Sequence, residues 1–345
     1  MKSTKTIAVG LLTFASTFSS HADEFSRWTW RNPKPLGSTL YSIIHAENQF
    51  VAVGAYGEIV TSTNGRTWTI EAAGTTGRFL GVCHGDGLFA AYGFVQNPQG
   101  SPAFLANLVV SPDARNWTRP PHNLPSGLQG MAYGASHWVC LDTFGNIRSS
   151  PDLAGWTLQV PAVISAFSEL IFAQDKFVAV GNRGVIMTST NGITWQEQDS
   201  GTTANLQDIA YGDGKFVVVG GDEMLGQGII LTSENAEDWW IQTTDFPLNG
   251  VAYGPNGFTA VGGGGFGTDC GSSMNSSDGV YFAAGPEGCD SGLTATPNDV
   301  ACNDEVCVAV GFWGLLAVSE DGLIWSNNQE GTSAATLHAT ATTSA

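Results

Sequence analysis

Two stretches of the sequence decide the fold: "GAYGEIVTSTNGRTW" at residues 54–68 and "GNRGVIMTSTNGITW" at residues 181–195. The octapeptides that end them, 61–68 and 188–195, differ at one position only. A third copy, "GFWGLLAVSEDGLIW", occupies residues 311–325. Similarity between such distant segments has no local cause, so it indicates an internal repeat.

Looser copies of the octapeptide complete the series. They are "SPDARNW" from residue 111, "SPDLAGW" from 150, "SENAEDW" from 233 and "SSDGVYF" from 276. We call each copy a box. The boxes start at serines 62, 111, 150, 189, 233, 276 and 319, with successive spacings of 49, 39, 39, 44, 43 and 43 residues. A repeat that runs nearly end to end favours one closed array over separate domains.

Composition narrows the function classes. The chain has 345 residues with 44 glycines, 11 tryptophans and only 13% charged residues, which is typical of short strands and many turns. Its 13 lysines and arginines stand against 31 acidic residues, for a net charge of −18. A cationic groove that follows a phosphate backbone cannot readily be built from this set, so nucleic acid is not expected as a partner.

The amino terminus predicts export. Residues 1–22 combine two lysines, an apolar stretch from Ile7 to Phe18 and small residues before Asp23, which is the pattern of a signal peptide cleaved after Ala22. No later apolar run is long enough to span a membrane. We therefore expect a mature monomer that is periplasmic, surface-held or released.

The cysteines are even in number, and export permits disulfides. Cys302 and Cys307 flank a short turn between two strand-like runs, where cross-strand partners come close enough to bond. Cys270 and Cys289 bracket the sixth box in strands expected to be antiparallel, so a second bond is predicted there. Cys83 and Cys140 occupy apolar strand positions and are expected to be buried thiols.

Each repeat reads as four antiparallel strands. Segments such as "IAYGDGKFVVVG" at 209–220 predict a strand, a glycine turn and a second strand; a third run precedes the box and a fourth follows it. Stacked around an axis, such sheets bury both apolar faces. The prediction is an all-β protein, a single seven-bladed propeller over residues 23–327. Residues 26–32, with Trp28 and Trp30, would pair onto the last blade near Trp325, and the low-complexity tail 328–345 would be disordered.

The box resembles the Asp-box, or bacterial neuraminidase repeat, S-x-[DN]-G-x-x-W, and the longer frame resembles propellers related to photosystem II assembly factors and exported bacterial repeat proteins. The resemblance covers about residues 26–327 and implies that the boxes are folding elements remote from any active centre. The structural box residues are Ser62, Asn64, Gly65, Trp68, Asp113, Trp117, Asp152, Trp156, Ser189, Asn191, Gly192, Trp195, Trp239, Asp278, Gly279, Asp321, Gly322 and Trp325.

Function is expected on the opposite face. In a four-stranded meander the 1–2 turns and the boxes share one end, while the 2–3 loops and the inter-blade links share the other. The ligand-binding candidates in those loops are Tyr56, Phe144, Arg183, Asp222, Glu223, Phe312 and Trp313. Aromatic and polar side chains of this kind bind sugars or peptides by stacking and hydrogen bonding, and the alternative is ordinary packing of the rim.

The sequence favours a non-enzymatic propeller that binds a protein or a glycan, with a carbohydrate-active enzyme as the alternative. A sialidase-like site needs three converging arginines, yet the chain has only eight, of which Arg31, Arg78, Arg119 and Arg183 could reach the open face. A glycoside hydrolase would draw on Asp222, Glu223 or Asp269. The assembly factors are associated with an arginine-rich patch, whereas this rim offers Arg183. No cofactor is expected, and the sequence has no C-x-x-C or H-E-x-x-H zinc motif.

Overall fold

A computed structural model describes residues 37–161, 166–222, 226–263, 270–286 and 288–327. These residues form 27 β-strands and a few short 3-10 turns. None of the helices in this part of the chain has the length and hydropathy needed to cross a membrane. The predicted signal peptide, the strand at 26–32, Glu223, Asp269 and the tail 328–345 lie outside the described residues and stay predictions.

The strands form seven antiparallel sheets, each built from consecutive strands, which confirms the predicted all-β seven-bladed propeller. Blade 1 comprises β1 Leu40–Ala46, β2 Gln49–Gly54, β3 Glu58–Ser62 and β4 Thr69–Ala72; blade 2, β5 Arg78–Gly85, β6 Leu88–Gln96 and β7 Phe104–Ser111; blade 3, β8 Leu128–Gly134, β9 His137–Asp142, β10 Ile147–Ser150 and β11 Thr157–Val160. Blade 4 comprises β12 Phe167–Ala173, β13 Lys176–Gly181, β14 Ile186–Ser189 and β15 Gln196–Gln198; blade 5, β16 Asn205–Gly212, β17 Lys215–Asp222, β18 Gln227–Ser233 and β19 Trp240–Thr244. Blade 6 comprises β20 Leu248–Gly254, β21 Gly257–Gly262, β22 Ser272–Ser276 and β23 Ala283–Ala284; blade 7, β24 Pro297–Cys302, β25 Cys307–Gly311, β26 Leu316–Ser319 and β27 Ser326–Asn327.

Blade 2 departs from the four-stranded pattern. Its fourth strand is reduced to a single bridge, in which Val110 and Thr118 exchange backbone hydrogen bonds of 2.8 and 2.9 Å. The two residues after Arg119 are Pro120 and Pro121, which have no N–H to donate. The ladder therefore stops where the other blades continue it.

The first strand of each blade lies innermost, and each contacts the first strand of the next blade around the whole ring, including β24 of blade 7 with β1 of blade 1. Seven hydrophobic clusters fill the seven gaps between blades. In the gap between blades 7 and 1, Trp68 packs against a cluster that contains Phe50 and Val308. The equivalent aromatic residues of the other boxes are Trp117, Trp156, Trp195, Trp239, Phe282 and Trp325. Each side chain packs between its own blade and the preceding one.

The box hairpins are held by their own side chains. Oδ1 of Asn191 accepts the backbone N–H groups of Ile193 and Thr194, both at 2.9 Å, and the hydroxyl of Ser189 donates to it at 3.2 Å. In the turn Asn191-Gly192 only the glycine has left-handed backbone: Gly192 has φ 69°, whereas Asn191 is absent from the positive-φ residues of the described chain. The asparagine contributes its side-chain acceptor instead.

Both predicted disulfides are present. Cys302 and Cys307 face each other in the register of β24 and β25. At the same register position each of the six other blades places two aromatic rings, as in Phe172 and Phe177, whose centroids are 4.6 Å apart. The bond between Cys270 and Cys289 forms outside the ladders, between the residues before β22 and the 3-10 turn at 288–291. Cys83 and Cys140 are unpaired thiols.

Candidate binding face at the channel mouth

One end of the central channel opens into a cavity of about 590 Å³. Its lining includes Asn182 and Phe312 from 2–3 loops and Ala166, Pro247 and Thr296 from inter-blade links. The connections that the sequence assigned to one face therefore meet at this opening. We call this end of the propeller the channel-mouth face.

The 2–3 loops of blades 1, 4 and 7 are the same tight turn. Tyr56, Arg183 and Trp313 occupy its tip with φ values of 58°, 61° and 57°, and a glycine follows each of them. Left-handed backbone is uncommon for residues other than glycine, and such residues recur at functional sites. The turn leaves Tyr56 81% exposed and Trp313 75% exposed, and Arg183 is exposed as well. Three side chains thus stand out from the face on short, defined turns.

The other predicted binding residues vary in placement. Phe312 lines the cavity and is 44% exposed, while Phe144 is exposed in the 2–3 loop of blade 3, where its N–H donates to Oδ1 of Asp142 at 2.9 Å. Asp222 ends β17, paired in register with Gln227, and does not line the cavity. Among the described candidates, Phe312 therefore lines the cavity, whereas Asp222 does not.

The wall of the cavity comes from an irregularity common to all blades. Each first strand carries a register shift near its start, within its first four residues. The residues within these bulges are Tyr41, Leu80, Gln129, Ser168, Gln207, Asn249 and Asn298, and all of them line the cavity. A bulge adds a residue that the partner strand does not match, and so re-aims a side chain. Here it supplies one side chain per blade to a single ring.

Three carboxyl groups lie one position further along the first strands. Asp299 of blade 7 accepts the N–H of Ile43 in blade 1 at 2.8 Å and that of Val300 at 2.7 Å. Asp208 of blade 5 likewise accepts the N–H of Val251 in blade 6 at 2.7 Å. These bonds join neighbouring blades at the axis, so the two aspartates have a structural role.

Glu169 of blade 4 is the third of these groups. It accepts the N–H of Leu170 at 2.8 Å and a hydrogen bond from the hydroxyl of Tyr92. Burial raises the pKa of Glu169 to about 8 and that of Asp299 to about 7. For Asp208, burial and the charges of Asp299 and Glu169 raise the pKa well above its usual range. A fraction of these carboxyl groups is thus protonated at neutral pH.

Sequence reasoning missed these acids, although an aligned signal exists. Aligned on the bulge, the first strands contain "LYSI", "FLGV", "LQGM", "FSEL", "LQDI", "LNGV" and "PNDV" near their starts. The third position holds serine or glycine in four blades and an acid in the other three. At Gly81 the space of a side chain is filled by the hydroxyl end of Tyr92. In the seven blades this position therefore holds either a small residue or an acid with a defined partner.

An arginine lies at the edge of the cavity. Cζ of Arg78 lies 5.1 Å from the ring centroid of Tyr41 and 5.5 Å from that of Phe94. Both distances are within the range of cation–π contacts. Because Tyr41 lines the cavity, this contact places the guanidinium group of Arg78 next to the cavity wall.

Solved structures share this fold at low sequence identity. YCF48 from Cyanidioschyzon merolae matches with a TM-score of 0.60 and 16% identity, covering 82% of this chain and 96% of that one. YCF48 bound to D1 peptide gives 0.57 and 16%, over 81% and 92%. The GH74 xyloglucanase from Xanthomonas campestris gives 0.66 and 14%, over 85% of this chain but 55% of that one. No family model and no curated protein matches the chain. At these identities the similarities establish the propeller fold alone.

Proposed function

We propose that the chain is an exported, non-enzymatic propeller that binds a protein or glycan ligand on its channel-mouth face. The observation that carries the proposal is the pair of aromatic side chains Tyr56 and Trp313. They are 81% and 75% exposed on left-handed turns of blades 1 and 7, which are neighbours in the ring. Large exposed aromatic groups beside a cavity are typical of ligand contacts. One of the structural neighbours, YCF48, is bound to a peptide, which supports a peptide ligand by analogy.

Export remains part of the proposal. Two disulfides are typical of proteins that fold in an oxidising compartment. The predicted signal peptide at residues 1–22 agrees with that environment. The Asp-box relationship also remains a proposal, based on the repeated sequence and the bonding of the hairpins.

The test compares two faces of the same molecule. Immobilised protein is screened on peptide and glycan arrays, alongside the double variant Tyr56→Ala/Trp313→Ala. The matched control is Tyr281→Ala, which removes a 70% exposed aromatic side chain from the box of blade 6. We expect the double variant to lose about tenfold or more in affinity, about 1.4 kcal/mol, and the control to bind as the wild type does. Equal binding by all three proteins would remove the proposal.

A carbohydrate-active enzyme is the second candidate, favoured by one observation. Glu169, Asp208 and Asp299 line the cavity and have raised pKa values, as catalytic acids often do. Against it, both oxygens of Asp208 and of Asp299 accept backbone N–H groups. Release of reducing ends from xyloglucan or other polysaccharides by the wild type, and its loss in Glu169→Gln, would reverse the order of the two candidates.

A further inference from the structure

We infer that the ligand of the channel-mouth face is a basic peptide segment, one of whose lysine or arginine side chains enters the cavity. The inference rests on the proposed function and adds the chemistry of its ligand. A peptide is the favoured ligand because a lysine or arginine side chain can form charge-assisted hydrogen bonds with the carboxyl groups of the cavity wall, whereas a neutral glycan cannot.

The lining of the cavity is complementary to a cation. It contains the carboxyl groups of Glu169, Asp208 and Asp299 together with neutral amide and hydroxyl side chains. Among the described residues that line it, none is lysine, arginine or histidine. The whole chain carries a net charge of −18, so approach of a basic segment is favoured at long range as well.

The hydrogen bonds of these carboxyl groups fix their positions without neutralising them. Asp208 and Asp299 are each held by two backbone N–H groups at 2.7–2.8 Å, and a backbone amide carries no net charge. Each of the three acidic residues keeps part of its surface accessible. A cation entering from the mouth would therefore meet fixed acceptors that require little rearrangement.

Aromatic residues provide the second part of the proposed contact with the peptide, beside the carboxyl groups. Tyr41 already faces the guanidinium of Arg78 at 5.1 Å, which shows the geometry that a ligand cation would share with such rings. Phe312 lines the cavity, and Trp313, the next residue, is exposed beside it. A peptide can lay its backbone and apolar side chains on these rings while one basic side chain points down the channel.

Binding should be coupled to proton release. The titratable groups that act on Glu169 are Asp208, Asp299, Tyr92 and Cys83. Burial raises the pKa of the Tyr92 hydroxyl and of the Cys83 thiol, so both remain neutral near pH 7. A cation in the cavity favours the ionised carboxylates and lowers their pKa. Affinity should therefore rise between pH 6.5 and pH 8.5, a range in which ordinary surface carboxylates are already ionised.

The experiment uses the full chain and three fluorescein-labelled decapeptides in which serine alternates with lysine, glutamine or glutamate. Fluorescence anisotropy is measured at pH 6.5 and pH 8.5 in about 0.15 M salt. We expect the lysine peptide to bind about tenfold more tightly than the glutamine peptide, and more tightly at the higher pH. The glutamate peptide should be the weakest of the three.

Two variants with the same change of charge separate the cavity from the general surface. Gln129→Lys adds a cation to the bulge ring, whereas Gln196→Lys adds one to the exposed fourth strand β15 of blade 4. The first should weaken binding of the lysine peptide about tenfold, and the second should leave it within about twofold. Equal effects of the two variants, or equal affinity for the lysine and glutamine peptides, would overturn the inference.

The result also separates the inference from the proposed function. If neutral glycans or acidic peptides bind in a way that depends on Tyr56 and Trp313, the basic ligand is wrong and the binding face stands. If no ligand depends on those two residues, both conclusions fail.

Discussion

At the scale of the residue, one side-chain oxygen organises each box. The third position of the seven boxes is always asparagine or aspartate: Asn64, Asp113, Asp152, Asn191, Asn235, Asp278 and Asp321. In every case Oδ1 accepts the backbone N–H groups of the residues two and three positions later. Asparagine and aspartate both provide this acceptor. Backbone donors lower the pKa of Asp113, Asp152 and Asp278, so these carboxylates stay ionised in mild acid. The sequence motif therefore predicts the hairpin and its position, whereas the structure identifies Oδ1 as the acceptor that holds it.

Removing the Oδ1 acceptor should destabilise the fold, whereas exchanging asparagine for aspartate, which keeps the acceptor, should not. Asn191→Ala removes the partner of two backbone N–H groups, which we expect to lower the free energy of unfolding by about 1–2 kcal/mol. Asn191→Asp restores the arrangement found in four other boxes and should remain within about 0.5 kcal/mol of wild type at pH 7. Urea unfolding followed by tryptophan fluorescence measures both. A loss of the same size in both variants would show that the amide nitrogen, not Oδ1, is what the hairpin requires.

At the scale of the element, the sequence predicts strands and turns but not the irregularities between strands. A bulge is a property of two paired strands, so no single segment reveals the register shift at Gln129 or at Ser168. The reduced fourth strand of blade 2 is different, because the consecutive prolines Pro120 and Pro121 are visible in the sequence and indicate that the ladder ends there. The contacts between neighbouring blades at the far ends of the first strands also cannot be predicted from the sequence. There the ring of Phe172 in blade 4 lies where a side chain of Gly134 in blade 3 would be.

This contact can be tested by a double-mutant cycle. An added Cβ at Gly134 would overlap the ring of Phe172, so Gly134→Ala should lower the free energy of unfolding by about 1–3 kcal/mol. In the double variant Gly134→Ala/Phe172→Ala the overlap is gone, and the combined loss should fall short of the sum by at least about 0.5 kcal/mol. Gly155→Ala is the control, because no atom lies near its added Cβ. Additive losses would mean that the two blades do not meet at this point.

At the scale of the whole molecule, seven copies of one pattern predicted seven blades, the gaps filled by aromatic box residues, and the face on which the 2–3 loops meet. The rim residues Tyr56 and Trp313 followed from the same alignment. The acids of the channel did not, because Glu169, Asp208 and Asp299 lie far apart in the chain and each looks like an ordinary polar residue of a strand. Only the closure of the ring brings them to one axis, where burial shifts their pKa values.

The protonation of these acids should make stability depend on pH. Burial raises the pKa of Glu169 to about 8 and those of Asp299 and Glu58 to about 7. An unfolded carboxyl group titrates near pH 4, so between that pH and the raised value the native state binds more protons than the unfolded state. Stability conferred by such groups is present at low pH and is lost as the pH rises through the folded-state pKa. Buried histidines act in the opposite direction, but only below about pH 6.5, because burial lowers the pKa of His45 and His122.

The interval from pH 6.5 to pH 7.5 therefore isolates the acids, because the thiols of Cys83 and Cys140 ionise in the unfolded chain only nearer to about pH 8.5. The melting temperature should fall across this interval. The slope for one group is at most about 1.4 kcal/mol per pH unit, and contact with solvent in the channel reduces it. Glu169→Gln replaces the carboxyl with a neutral group that can still bond to the hydroxyl of Tyr92 and accept the N–H of Leu170, so its melting temperature should fall less steeply. Differential scanning calorimetry at several pH values in one buffer series measures both proteins. A melting temperature that rises over this interval, or identical slopes for the two proteins, would show that Glu169 is ionised in the folded channel.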